Sequence, residues 1–427
     1  MPASKAAYAL ADRLRFWLNR LGERLWVRPL VVCLLSIAAV FLAKWLEGTA
    51  VDDYLPDVGR ASVEALLSTL SASMLVIATF CVGSMVSAYA SAASTATPRS
   101  FNLVIADDVS QNALATFVGA FIFSIVGIVT AKSEYFSAGG YFILFCLTLL
   151  VFALVVFTFI RWVDRIARLG RIGPTIEKIE QATHKSLQNY RLRPHLGGSP
   201  LASEETFLTP LLADKVGYVM RVDLALLQKQ AERLGCHIRI NAMPGDLVIT
   251  DKPLAWWVGK LKEAEIDQEA CRKAFVVGKA RTFDEDPYFG LMTLSQIAMK
   301  ALSPAVNDPG TAVDVLSSQL RLLVQFTQPT NEEETSPILF ARVQVPPLSS
   351  DRLLDNAFSG IARDGASSIE VVRMLLLCLE TLVQSERDDI RQSALMLTHK
   401  VLAHAKKNLT LEEEIQQVQK DADFLEH

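Results

Sequence analysis

Between Pro29 and Ile160 the chain carries four apolar stretches in which charged residues are almost absent, a pattern that suits a bilayer better than a water-soluble core. The first runs from Pro29 to Leu46, with Lys44 able to snorkel outward at its end. The second lies within an uncharged stretch from Ala65 to Pro98. The third covers about Asn112–Ala131 and the fourth about Tyr141–Ile160. At roughly 1.5 Å per residue, each is long enough to cross roughly 30 Å of hydrocarbon.

The remainder is different in kind. Of 427 residues, 51% are hydrophobic and 21% charged, a mixture expected where apolar spans are fused to an ordinary charged domain. The formal net charge of −4 and the absence of a basic face argue against a nucleic-acid partner. Cys33, Cys81, Cys146, Cys236, Cys271 and Cys378 are scattered, with no C-x-x-C pair, so neither a disulfide framework nor a zinc site is expected. The histidines likewise lack ligand spacing. No Walker loop, nucleophile elbow, HExxH or deaminase signature occurs, which points away from an enzyme and implies no cofactor.

Orientation follows from the distribution of basic residues. Lys5, Arg13, Arg15, Arg20, Arg24 and Arg28 precede the first span, and Arg161, Arg165, Arg168 and Arg171 follow the fourth. The loop after span one is acidic instead, with Glu47, Asp52, Asp53 and Asp57. Both termini are expected inside, and four crossings make that self-consistent. The arm over residues 1–28 alternates apolar and basic positions. It reads as an amphipathic helix, lying either on the inner leaflet or against the cytoplasmic region. No small-residue cleavage site follows the first span, so it is expected to be retained.

Span two is the unusual one. As a single helix, Ala65–Pro98 would extend about 51 Å, well beyond the hydrocarbon thickness, so it must tilt or project inward before Pro98 stops it. Ser84, Ser87, Ser91 and Ser94 recur there at three- and four-residue steps and share one helical face. Such a face serves close helix packing, because small residues let backbones approach in lipid. It also serves as the lining of a permeation path when several copies surround an axis. No Asp, Glu, His or Arg lies deep in a span, which disfavours an ion-coupled transporter but leaves a passive pore open.

The rest reads as a cytoplasmic α+β region that is mostly helical. Residues 161–199 form a helical connector and linker, with a break at Gly170–Pro174 and a linker at Arg193–Ser199. Residues 200–262 form a small α+β module, with strands at Val216–Val222, His237–Asn241 and Asp246–Thr250 and a helix at Leu224–Leu234. Residues 263–427 are mostly helical beyond a strand candidate at Phe275–Thr282. Within this region lies RTFDEDPYFGLMTLSQIAMKALSPAVNDPGTAVD, from Arg281 to Asp314. Asp308 before Pro309 is a good helix cap, and the acidic turn Asp284–Asp286 suits a solvated loop. A functional alternative gathers Arg281, Asp284, Asp286, Asn307 and Asp308 into one polar site for a divalent cation or an anionic group.

Two segments carry a resemblance. DPYFGLMTLSQIAMKALSPAVNDPGTA, together with Thr97-Pro98-Arg99 leading to Asp107 and Gln111, is similar to the bacterial membrane family termed domain of unknown function 2254. That family favours Gly-Ile where this chain has Ala305-Val306, and an arginine where it has Met292. The resemblance implies an α-helical membrane protein of the bacterial inner membrane, with four transmembrane helices and a cytoplasmic C-terminal domain. The hydroxyl-lined face of span two, rather than the resemblance, leads to the expectation of a homo-oligomeric channel-like protein with a cytoplasmic vestibule or gate. The alternative is a non-conducting scaffold or sensor whose cytoplasmic domain binds a ligand, divalent cation or partner protein.

Overall fold

A computed structural model of the chain describes residues 26–46, 58–95, 97–100, 103, 108–133, 135–167, 171–202, 208–259, 266–330 and 337–425. The expected amphipathic arm and the acidic loop after span one lie outside the described residues, apart from Trp26–Arg28. Two compact units divide the chain near Thr175.

The first unit is the apolar bundle. It consists of α1 (Val27–Leu46), α2 (Arg60–Thr95), α3 (Asp108–Lys132) and α4 (Ala138–Ile166), all four long and apolar enough to cross a membrane. Contacts at the helix ends give their directions. Arg28 at the start of α1 bonds Asp108 and Asn112 at the start of α3. Arg60 at the start of α2 donates to the Lys132 carbonyl at the end of α3, 3.2 Å away. Tyr141 near the start of α4 donates to the Ala131 carbonyl at 3.0 Å. Thus α1 and α3 run one way and α2 and α4 the other, as successive crossings require. Each helix overruns the expected apolar span: α3 starts at Asp108 and α4 continues to Ile166. Hydropathy marks the lipid-crossing part, and backbone bonding carries the helix on into the polar boundary.

Close approach between α1 and α3 depends on Gly119, where any Cβ would overlap Val32 and lie 3.3 Å from Ser36 Oγ. One core cluster joins Leu70, Met74, Cys81 and Met85 of α2 to Phe117 of α3 and Trp162 of α4. Hydroxyls within the bundle bond the carbonyl one turn back, as Ser124 does to Ala120 and Thr148 to Leu144, at 2.8 and 2.7 Å. They are therefore satisfied without water.

The second unit holds two sheets and a helical layer. α5 (Ile172–Leu192) buries Ile176, Ile179, Leu187 and Tyr190 on one stripe. Its start after residue 171 puts Pro174 in the first turn, where proline's missing N–H is harmless. The break therefore precedes Pro174. The stretch expected to be a linker is built in instead. Pro194–Gly197 forms a tight turn with left-handed His195 and Leu196, and β1 (Gly198–Ser199) pairs in parallel with β8 (Phe340–Gln344).

The remaining strands are β2 (Leu208–Leu212), β3 (Gly217–Val222), β4 (His237–Ile240), β5 (Leu247–Val248), β6 (Pro253–Val258) and β7 (Phe275–Gly278). They form a five-stranded sheet in the order β1-β8-β4-β6-β2 and a three-stranded sheet in the order β5-β3-β7. A domain boundary at 262/263 does not survive this topology, because β7 pairs with β3 and β8 pairs with β4 across it. Such long-range pairings leave no local trace in hydrophobic periodicity.

Between the strands, α6 (Leu224–Leu234) is capped by Asp223 and closed by left-handed Gly235, and α7 (Gln268–Arg272) precedes β7. The helical layer contains α8 (Pro287–Ala301), α9 (Pro309–Thr327), α10, α11 (Ile369–Val383), α12 (Asp388–Asn408) and α13 (Glu412–Lys420). Helix α10 comprises Ser350–Leu354, a π turn at Asp355–Ser359 and Gly360–Asp364. The short apolar run Met374–Cys378 lies in α11 as a core segment, with Leu375, Leu376 and Cys378 buried.

Candidate functional site

The bundle leaves one face of α2 uncovered. Val63, Leu67, Leu70, Met74, Ala78, Cys81 and Met85 point into the core at three- and four-residue steps. Turned away from them, Thr69, Ser73, Val76, Phe80, Ser87 and Ser91 are exposed and Ser84 is half-buried. Successive steps of four, three, four, four, three and four residues keep all seven on one stripe. The serine repeat is thus the C-terminal part of a longer stripe, and continuing the same spacing toward Thr69 would have found the rest. The side chain of Ser94 lies outside the described residues.

The serines do not sit at the apolar middle of the bundle. With Phe80, Gly83 and Ile166, Ser84, Ser87 and Ser91 line an open groove of about 560 Å³. Ile166 lies one turn beyond Trp162, at the end of α4 that carries Arg161, Asp164 and Arg165. On the same stripe, Thr69 and Ser73 lie nearer the Arg60 end, their hydroxyls bonded to Ala65 and Thr69 carbonyls at 2.9 and 2.8 Å. Val76 and Phe80 lie between the two polar groups. Phe80 meets Trp162 edge-on at 6.0 Å, and Trp162 in turn packs against Phe117 and Phe159.

In the second unit, the five polar residues of Arg281–Asp308 do not converge. Arg281 and Asp286 pair at the start of α8, whereas Asn307 and Asp308 lie beyond its end, about 21 Å along the axis at 1.5 Å per residue. Asp284 is exposed. Among the described residues no group of three or more His, Cys, Asp or Glu side chains is arranged to hold a metal ion. The expected joint ligand site is therefore two separate structural devices.

The first device is a buried ion pair. Asp286 is 2% exposed, and it accepts from Arg281 Nε at 2.7 Å and Nη2 at 2.9 Å and from the Phe289 N–H at 3.1 Å. Burial pushes its carboxyl above the ordinary range, against the opposing pull of Arg281. Gly245 makes room for this carboxylate, since a Cβ there would lie 2.7 Å from Asp286 Oδ1. Next to it, Arg352 pairs with Asp246 at 2.9 Å and stacks over Tyr288 at 4.4 Å. Met292 lies with its sulfur 3.7 Å from Arg281 Nη1.

The second device is a helix–turn–helix closure. Asn307 adopts the left-handed conformation that asparagine tolerates, and its N–H reaches the Ser303 carbonyl. Asp308 then caps α9 by accepting from the Thr311 N–H at 3.1 Å and its hydroxyl at 2.6 Å, with Pro309 in the first turn. Those Thr311 hydrogen bonds hold the Asp308 carboxyl below its ordinary value. A lowered value stabilises the fold above the unfolded-state pKa of about 3.9 and loses that contribution as pH falls through the folded value. Amide protection in the first turn of α9 should therefore weaken below pH of about 4. Asp308→Asn should hold the cap with no such pH dependence, and Asp308→Ala should lose about 1 kcal/mol at neutral pH, a deficit that narrows as wild type is acidified. Equal protection factors in all three proteins across the titration would refute the capping role.

A further polar cleft, not anticipated from sequence, is lined by Asn189, Arg193, Leu196, Arg221, Glu285 and Phe340. Arg221 is 6% exposed and faces Glu285 at 3.3 Å. Burial and the neighbouring carboxylates push the Tyr190 phenol up, while its hydroxyl donates to the Glu285 carbonyl. The residues of this cleft come from four stretches of the chain, so no local motif announces them.

Uncharacterised proteins of Mycobacterium bovis and Mycobacterium tuberculosis strain H37Rv are each 24% identical to this chain over 408 residues, covering 92% of it and 78% of the relative. No solved structure matches. A family model described as "Predicted membrane protein (DUF2254)" matches residues 22–381, most of the chain and both of its units, and with the four apolar helices in place the chain belongs to that family of membrane proteins.

Proposed function

We propose that the protein is a homo-oligomeric, channel-like membrane protein in which the exposed stripe of α2 faces a central axis. In this reading it resides in a bacterial inner membrane with both termini in the cytoplasm, consistent with the basic residues flanking the bundle. One observation carries it: seven residues along α2 form a continuous face, polar toward both ends, of which the other three helices leave six exposed and Ser84 half-buried. Hydroxyls are poor partners for lipid tails yet adequate ones for water and hydrated ions. The groove of Ser84, Ser87 and Ser91 then forms the inner mouth, at the level of α4's charged end. Thr69 and Ser73 line the crossing part.

Reconstitution into liposomes tests this directly. Wild type should pass monovalent ions above the empty-vesicle background. Ser73→Trp should cut the flux by about tenfold or more by filling the lining. Leu75→Trp, on an exposed apolar position outside the stripe, should leave it unchanged. A strictly monomeric wild type in mild detergent, or equal flux in both variants, would overturn the axial arrangement. The cleft of Arg193, Arg221 and Glu285 favours a second reading, a sensor whose soluble unit takes up a small charged solute.

A further inference from the structure

The exposed stripe of α2 is not polar throughout, and its interruption has a definite place. Thr69 and Ser73 occupy one side, and Ser84, Ser87 and Ser91 the other. Between them the same face carries only Val76 and Phe80, which are 69% and 65% exposed. The helix spans 36 residues, and these two lie near its centre. Their depth can be read from the neighbouring helices. α2 begins level with the end of α3, through Arg60 and Lys132, while α3 begins at the Arg28–Asp108 contact. About 30 Å of helix inward from Glu64 reaches Ser84, so Val76 and Phe80 fall inside the hydrocarbon and the serine groove at its boundary.

Phe80 is also held in place. Its ring rests edge-on against Trp162 at 6.0 Å, and Trp162, 1% exposed, packs against Phe117 and Phe159. The aromatic support fixes the base of the ring while leaving most of its surface outside the bundle.

Resting on the channel reading above, we propose that Val76 and Phe80 form an apolar girdle that holds the path mostly closed, so that wild type conducts at a low level. Copies of this pair around an axis make a ring with no hydrogen-bond partners for water, and a narrow ring of that kind empties and blocks ions without physical occlusion. Opening then requires a displacement that moves Phe80 off the axis or wets the ring. Trp162 is the positioning residue that sets where Phe80 rests.

Liposome flux with the full-length protein tests the girdle separately from the pore. Phe80→Ser should raise ion flux by about tenfold or more over wild type, because a hydroxyl wets the ring, whereas Phe80→Leu should keep it low. Val76→Ser should also raise flux, which covers the case in which Phe80→Ser does not fold; an oligomeric elution profile like wild type's confirms folding. Raised flux in either serine variant with Leu unchanged supports the girdle. Wild-type flux that Ser73→Trp blocks but neither serine variant raises overturns the girdle and leaves the pore standing. No flux from wild type or from any folded serine variant overturns both.

Discussion

Replacing Asp286 with Asn should cost about 3 kcal/mol or more, although the two side chains have almost the same shape. Asparagine caps helices as well as aspartate, so the start of α8 keeps its cap. What is lost is the charge that Arg281 requires. That guanidinium is 14% exposed and makes two of its hydrogen bonds, at 2.7 and 2.9 Å, to this carboxylate. Leaving a buried cation unpaired is far more costly than removing the pair together. Arg281→Met combined with Asp286→Asn should therefore recover much of the loss, helped by the adjacent thioether of Met292. For a domain of this size the single variant should lower the melting temperature of the second unit by roughly 10 °C, followed by tryptophan fluorescence of the full-length protein in detergent. A single-variant loss under about 1 kcal/mol, or a double variant no better than the single, would show that the pair is not the keystone of the α8 start.

Gly290 carries the second large expectation, and here two general effects have opposite signs. In an open helix, Gly→Ala stabilises by about 1 kcal/mol through helix propensity. At position 290 an added Cβ would overlap the Thr183 hydroxyl and lie 2.7 Å from its Cβ, because α5 crosses α8 at this point. Thr183 is 1% exposed and has no room to retreat. Overpacking of this kind should outweigh the propensity gain, giving a net loss of about 2 kcal/mol for alanine and more for valine. Gly173, with nothing within 4 Å of an added Cβ, is the matched control, and alanine there should be neutral or better. Thr183→Ala should rescue Gly290→Ala only in part, since its Cβ remains. A stabilising Gly290→Ala would mean that α5 is free to move away from α8.

Both positions lie in the segment that the sequence marks most clearly, yet the sequence does not show what either one does. Asp286 and Asp308 look like a cluster of hard oxygen ligands because they stand near each other in a motif rich in polar residues. Helix α8 separates them by its full length. Gly290 carries no local mark of its role: it lies inside a helix that begins at Pro287 and serves a contact with α5.

Some features needed only local physics. Four apolar runs of sufficient length, basic residues flanking the bundle, the capped helix at Leu224–Leu234 closed by Gly235, and Asp308-Pro309 as the start of α9 follow from hydropathy, charge and cap chemistry, which act over a few neighbouring residues. Spacing likewise placed Ser84, Ser87 and Ser91 on one face. The sequence could not say which face of α2 the bundle would cover, how deep along the helix the serines would lie, or that Gly198 and Phe340 would share a sheet. Those outcomes are set by contacts between residues tens to over a hundred positions apart, and periodicity within a window carries no record of them.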